Sequence, residues 1–388
     1  MNATGTLMRG LVLGTVAGVM YVASRRTNTE PPRLIQWDRV RKIAERVSKG
    51  EGLATMNRSL ELTERYQTMV RQSETAIGSY LKQSLPLPLD RIEVFDRPQW
   101  IDANIAGFES LFEPLETMNR SAMNGASMGS HLFGEVNQSI ISGQLGILLG
   151  YLGRRVLGQY DTALLGREPV TTGRLYFVEP NIAMTQQKLG LDAADFRTWI
   201  ALHETTHAFE FEAHPWLRDY MNQALHSYFD TLSHDFGQFA FGSGGVASLA
   251  QRVIQNANRK GNAIEWLMTD EQKAIFERLQ ALMCLIEGYS NHVMDVVGGQ
   301  VLATYPLMKA RFENRNRQRP LVDQIFTKVT GLDMKLEQYV LGEKFVNSQV
   351  LVMGIDRFNK IWDGPELLPT LPEIYEPALW RDRVGTRI

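Results

Sequence analysis

One pentapeptide in the chain, His203–His207 (HETTH), has residue types and a spacing that could activate a water molecule. Residues four positions apart share a helix face, so the imidazoles of His203 and His207 could bind one metal ion. Glu204 is rotated about 100° from His203, which would place its carboxylate beside a water rather than on the ion. Zinc lowers the pKa of a bound water to about 7, and a neighbouring carboxylate can accept the proton. The motif therefore predicts a Zn2+ site with Glu204 as general base.

The motif lies in a segment, Asp192–Phe211, that is predicted to be an amphipathic helix without Pro or Gly. Asp192 is a suitable N-cap, and Asp195 adds negative charge to the first turn. One stripe at helical spacing faces inward and includes the motif histidines. It consists of Phe196, Trp199, Ile200, His203, His207 and Glu210. The alternative is a pair of core histidines bonded to backbone carbonyls, which would be a costly coincidence beside a glutamate at the right offset.

A catalytic zinc site needs a third protein ligand and one open position. A metzincin would have histidine at position 213 and glycine at 210, where this chain has Ala213 and Glu210, so that class is excluded. Glu287 lies in an apolar stretch, where a carboxylate is costly unless it is bound. A glutamate from a second helix is the third ligand in the gluzincin plan, of which thermolysin is the familiar member. Glu287 is therefore the preferred ligand, with His292, Glu210 and His214 as alternatives.

The helix that carries Glu287 also offers supporting side chains. Asn291 or Asp295 could accept a hydrogen bond from a ligand histidine and so orient it. His292 or Tyr289 could donate a hydrogen bond to the oxyanion of a tetrahedral intermediate. For His292, an ordinary core or surface histidine is an equal alternative.

The rest of the chain reads as mainly α with a minor β part, a zincin-like helical body with a short edge strand or small sheet. Arg174–Val178 is the clearest strand, and it is expected to be the edge strand along the cleft. An ordinary hairpin arm is the alternative. A capping box from Thr269 to Gln272 predicts the start of the long helix that carries Glu287. The glycine-rich segment 235–263 is expected to be a loop near the site.

Composition excludes some partners and leaves localisation open. The chain has 388 residues and a net charge of −2, so overall charge predicts no nucleic-acid partner. Its single cysteine, Cys284, allows no intramolecular disulfide. Residues 10–23 are uncharged but shorter than the roughly 20 residues of a membrane span. They could form a packed helix, a membrane anchor or a signal peptide, so the protein is expected to be cytoplasmic or membrane-associated. We expect residues 1–30 to be a separate segment and 31–388 a single metallohydrolase domain.

Six stretches carry a resemblance to a known family. They are GYLGRRVLGQYD (150–161), LYFVEPNI (175–182), HETTHAFEFEAHPWL (203–217), LMCLIEGYSNHVMD (282–295), LDMKLEQYVLGEKFV (332–346) and PELLPTLPEIYEPALWRDRV (365–384). With them the chain resembles a bacterial family of zinc-dependent metalloproteases or hydrolases, some associated by name with deazaflavin-coenzyme biosynthesis. The resemblance implies a zincin-like body, His203 and His207 as ligands, Glu204 as base, and a site completed by the EGYSNHVMD helix. No residue pattern indicates a deazaflavin site.

These observations favour a zinc metallopeptidase acting on a peptide or small amide. A zinc-dependent hydrolase of a non-peptide amide or ester would use the same residues. A non-catalytic zincin-like binding module is the third hypothesis, and it predicts a metal that is structural or absent.

Overall fold

The computed structural model describes residues 33–49, 60–123, 128–161, 173–241, 268–317, 333–385 and 387. Over these residues the fold is mainly helical with one small sheet, as the sequence predicts. The described helices before residue 158 are α1 (Trp37–Ser48), α2 (Leu60–Leu81), α3 (Arg97–Met123) and α4 (Met128–Gly153). The described helices after residue 178 are α5 (Glu179–Leu189), α6 (Ala193–Glu212), α7 (Trp216–Phe241), α8 (Asp270–Val293), α9 (Gly299–Val301), α10 (Tyr305–Arg317), α11 (Asp333–Met353), α12 (Ile355–Phe358), α13 (Leu371–Tyr375) and α14 (Pro377–Val384).

The sheet has three described strands, β1 (Ile92–Phe95), β2 (Gly158–Asp161) and β3 (Arg174–Val178), in the order β1-β3-β2. β3 pairs in parallel with β1 and antiparallel with β2, so it lies in the middle. The prediction that β3 is the edge strand is therefore wrong, and β2 has that position beside α6. The reason is visible in β3 itself, because an apolar run such as Leu175–Val178 is typical of a strand covered on both faces.

The sheet separates two hydrophobic clusters because successive side chains of a strand point to opposite faces. Leu175 and Phe177 pack into the larger cluster, which α2, α6, α8 and α11 complete. Tyr176 and Val178 pack into the smaller cluster, with α1, α3 and α4. The sheet thus lies between the two hydrophobic clusters, and β2 contacts α6 of the larger cluster.

The two helices predicted to carry the site begin where the sequence indicates. The Asp192 carboxylate accepts from the backbone N–H groups of Ala194 and Asp195, which caps α6 as predicted. Thr269 and Gln272 form the predicted capping box at the start of α8.

α8 is held against α11 by direct contact between main chains. A Cβ on Gly288 of α8 would lie 2.1 Å from the carbonyl carbon of Gly342 in α11, and a Cβ on Gly342 would lie 1.9 Å from the carbonyl oxygen of Cys284. Both distances are too short for any side chain, so only glycine permits this approach. Gly288 is next to Glu287, so this contact fixes the position of Glu287 relative to α11.

Some predictions lie outside the described residues, namely the segment 10–23 and most of the predicted loop 235–263. Residues 235–241 continue α7 as helix. None of the helices within the described ranges is long and apolar enough to cross a membrane.

We expect Gly342→Ala to destabilise the protein, since the added methyl must push α8 and α11 apart. Overpacking costs about 1–3 kcal/mol and exceeds the roughly 1 kcal/mol that alanine gains over glycine in a helix. Thermal unfolding should show a Tm several degrees lower. Gly107→Ala is the matched control, because Gly107 is exposed in α3 and a Cβ added there would have nothing within 4 Å. A Gly342→Ala protein that melts at or above the wild-type Tm would contradict the close contact.

Candidate metal centre

Three side chains converge where α6 packs against α8. The Nε2 atoms of His203 and His207 are 3.3 Å apart. Oε2 of Glu287 lies 3.8 Å from Nε2 of His203 and 3.9 Å from Nε2 of His207. Within the described residues these three form the one group of potential ligand atoms that could hold a metal ion.

The spacing of these atoms fits a small divalent cation. Zinc binds imidazole nitrogen and carboxylate oxygen at about 2.0–2.2 Å, so neighbouring ligand atoms in a tetrahedral site are about 3.3–3.6 Å apart. The observed separations of 3.3, 3.8 and 3.9 Å need only small adjustments. Two imidazoles and one carboxylate also leave a fourth position open, as a catalytic site requires.

Each of the two histidines has a partner at its other ring nitrogen. Nδ1 of His207 lies 2.8 Å from Oε2 of the buried Glu210, and Nδ1 of His203 lies 2.8 Å from Oγ of Ser290. A partner at Nδ1 directs Nε2 towards the metal and fixes the ring. The Sδ atom of Met294 is also 3.0 Å from Nδ1 of His203.

These partners differ from the predicted ones, Asn291 and Asp295. Asp295 instead accepts hydrogen bonds from the Tyr305 hydroxyl and the Lys309 ammonium group. It lies in a π-helical turn, Met294–Gly298, which breaks the 3.6-residue repeat from which its direction was predicted. The two contacts belong to Ser290, one turn after Glu287, and to Glu210, which is an orienting residue rather than a ligand in this geometry.

Glu204 follows His203 in α6, is buried, and lies with its carboxylate against the edge strand. Burial raises the pKa of its carboxyl to about 7, where His207 opposes the shift, Glu287 adds to it, and a hydrogen bond from the backbone N–H of Tyr160 opposes it. A Cβ on Gly158 of β2 would lie 2.6 Å from Oε1 of Glu204. The strand can therefore approach this carboxylate only because residue 158 is glycine.

The remaining candidates are placed elsewhere. His292 contacts Tyr80 through Nε2 at 2.7 Å and Asn347 through Nδ1 at 2.6 Å. The Tyr289 hydroxyl donates to Oδ1 of Asn359 at 2.8 Å, and its ring packs against Trp362. The structure brings neither His292 nor Tyr289 to the three ligand atoms.

His214 also lies apart from the cluster. Its ring is stacked on Trp362 with the centroids 5.8 Å apart. Burial lowers the pKa of His214 to about 4, although Asp363 opposes the shift. Of the four candidates for the third ligand, Glu287 is thus the one whose side chain faces the Nε2 atoms of both histidines.

A family model described as zincin-like metallopeptidase matches residues 35–380, which is most of the chain. The chain belongs to the zincin-like metallopeptidase family. Among solved structures, it is similar to a crystal structure from Chloroflexus aurantiacus described as "a putative hydrolase with a novel fold". The two chains are 41% identical, the match covers 91% of this chain and 100% of the other, and the TM-score is 0.66. No curated protein matches the chain.

The candidate site includes residues that the sequence analysis does not single out. Ser290 could have been found, because it is three residues after Glu287 on one helix face. Gly158 and Tyr160 lie in the stretch GYLGRRVLGQYD that carries the family resemblance, but GQYD does not predict a strand, since it has neither a β-branched residue nor an apolar alternation. Their placement beside Glu204 follows from the sheet order.

We predict that Glu210→Gln weakens metal binding by about 10- to 100-fold, the usual effect of losing a ligand's orienting partner. The amide is neutral and holds the His207 imidazole less strongly than the carboxylate does. Competition titration against a chromophoric chelator measures the affinity. His214→Gln is the control and should bind metal as the wild type does. Equal affinities of the Glu210→Gln and wild-type proteins would show that Glu210 does not support the ligand.

The metal affinity of this protein should also depend on pH. Burial lowers the pKa of His207, but Glu210, Glu287 and Glu204 outweigh it and raise the pKa to about 9. Below that pH the metal-free site holds a proton on His207 that must leave when the ion binds. The apparent affinity should therefore fall about tenfold per pH unit as the pH drops from about 8.5 to 6.5. Titration calorimetry in buffers of different ionisation enthalpy should detect about one released proton, and an affinity independent of pH would contradict a protonated His207.

Proposed function

We propose that the protein is a zinc-dependent peptidase with Glu204 as general base. His203, His207 and Glu287 would hold the zinc, a ligand set of the gluzincin type. The observation that carries the proposal is the convergence of His203, His207 and Glu287 on one point, with Glu204 next to His203 in α6 and its carboxylate against the edge strand. A base beside both an ion site and a strand edge is suited to hydrolysis of an extended substrate.

A bound zinc would supply Lewis acidity, which lowers the pKa of water and polarises a carbonyl. Glu204 would accept the proton from the attacking water and pass it to the leaving amine. Burial raises the pKa of the Glu204 carboxyl above its ordinary value, which makes it a stronger base towards the attacking water than a solvent-exposed glutamate. The same burial keeps bulk water from hydrogen-bonding to the carboxylate.

The edge strand supports a peptide as the substrate. In an antiparallel pair, alternate residues direct their backbone N–H and C=O groups away from the partner strand. Leu157 accepts from the N–H of Val178, so Gly158 directs its own groups outward, on the side away from β3. An extended peptide could pair with this edge and bring its carbonyl beside Glu204.

We expect Glu204→Gln to lower kcat/KM by at least about 100-fold while metal stoichiometry and affinity stay unchanged, since glutamine cannot accept the proton. The measurement is hydrolysis of a peptide library by the zinc-loaded protein, beside a panel of non-peptide amides and esters. Glu271→Gln, at an exposed position in α8, is the matched control.

Two outcomes would count against the proposal. Undiminished turnover by Glu204→Gln would exclude Glu204 as the base. Cleavage of the small amides or esters but of no peptide would keep the base and replace the substrate class.

A further inference from the structure

We propose that Tyr160 and Glu212 form a clamp between β2 and the end of α6, and that this clamp holds the Glu204 carboxylate in position. Tyr160 and Glu212 are then positioning residues of the site, although neither contributes a ligand atom. The inference rests on the proposed function only for its effect on catalysis.

Glu212 is the last residue of α6 and gathers three donors on one oxygen. Its Oε1 atom lies 2.5 Å from the Tyr160 hydroxyl, 2.5 Å from the backbone N of Gly173 and 3.3 Å from Nη2 of Arg218. Tyr160 is the third residue of β2, and Gly173 immediately precedes β3. One carboxylate from the metal-site helix therefore joins both strands of the antiparallel pair.

The fit around the Tyr160 hydroxyl is close. A Cβ on Gly173 would lie 2.3 Å from the hydroxyl oxygen, so a glycine is needed where the two meet. The Tyr160 ring is stacked on Phe211 of α6, with the centroids 5.8 Å apart. Burial, together with Glu212, raises the pKa of Tyr160, so the hydroxyl stays protonated and can donate. Through these contacts the side chain of Tyr160 binds to the last two residues of α6.

The main chain of the same residue reaches Glu204. Residues 158 and 160 are two positions apart in β2, and alternate residues of an antiparallel strand direct their backbone groups to the same side. Tyr160, like Gly158, therefore directs its backbone N–H away from β3. Gly158 lies against that carboxylate, since a Cβ added to it would be 2.6 Å from Oε1 of Glu204. The N–H of Tyr160 faces the same carboxylate and opposes the rise in its pKa. Loss of the bond between the Tyr160 hydroxyl and Glu212 therefore frees the end of the strand that borders Glu204.

A second tyrosine, Tyr66, has contacts similar to those of Tyr160, and its substitution can serve as a control. The Tyr66 hydroxyl donates to Oε2 of Glu179 at 2.5 Å, Arg197 pairs with the same carboxylate, and the Tyr66 ring is stacked on Phe177. Both tyrosines are buried, bonded to a carboxylate that also binds arginine, and packed on a phenylalanine. Tyr66 contacts β3 and α5 rather than the strand beside Glu204, so Tyr66→Phe removes the same kind of bond from a different place.

The test is hydrogen–deuterium exchange of the backbone N–H of Tyr160, resolved by fragmentation of peptides that span β2. In Tyr160→Phe the exchange at residue 160 should accelerate by about tenfold or more, as expected for losing a hydrogen bond to a charged group. Glu204→Ala, which removes the carboxylate that this N–H faces, defines the full effect. Tyr66→Phe should leave the exchange of residue 160 within about twofold of wild type, even if its Tm falls.

Metal affinity and kinetics separate positioning from ligation. Tyr160→Phe should bind zinc within about threefold of wild type, because no ligand or ligand partner is changed. With a substrate of the proposed peptidase, its kcat should fall about tenfold or more while KM changes little, since a misplaced base affects the reaction rather than binding. Glu212→Gln, which retains an acceptor oxygen, should show a smaller loss than Glu212→Ala.

Unchanged exchange at residue 160 in both Tyr160→Phe and Glu212→Ala would overturn the clamp. The same acceleration in Tyr66→Phe would also overturn it, because the effect would then be general destabilisation. If Glu212→Ala does not fold, Tyr160→Phe and Glu212→Gln decide the question. The exchange experiment needs no substrate, so it tests the clamp even if the proposed peptidase activity is absent.

Discussion

The structure depends on the burial of several carboxylates where α6 packs against α8. Glu204, Glu210 and Glu287 are each less than 10% exposed, and burying a carboxylate without partners is among the costliest things a fold can do. The two histidines of α6 offset part of that cost, as the raised pKa of His207 shows. A bound divalent ion would offset more, because it neutralises Glu287 directly. Binding of such an ion would therefore also stabilise the fold.

Much of the site could be predicted because its chemistry lies on long helices. Three local patterns indicate the site: the HETTH spacing, the Asp192 cap and the costly placement of Glu287 in an apolar stretch. The predicted helices that carry them are confirmed as α6 and α8. The predicted mainly helical body with a small sheet is likewise confirmed. Helical periodicity was informative because it repeats over many residues.

The errors arose where position depends on long-range pairing or on a break in periodicity. The sequence shows β3 plainly but not that β1 and β2 flank it, since strand order is set by contacts across the chain. Asp295 binds Tyr305 and Lys309 rather than a histidine because a π-helical turn follows α8, and no residue pattern predicts that turn. The position of Tyr160 beside α6 likewise depends on the strand order, which no local pattern predicts.

The contact of Gly288 with Gly342 gives the site a particular kind of insulation. Side-chain packing transmits small volume changes from one core position to the next, and a ligand held that way drifts with its neighbours. Here α8 rests on α11 through backbone atoms, one residue from Glu287. Substitutions of apolar residues elsewhere in the larger cluster should therefore alter stability well before they alter the distance between Glu287 and the histidines. The volume of apolar core residues can therefore change while the geometry of His203, His207 and Glu287 is kept.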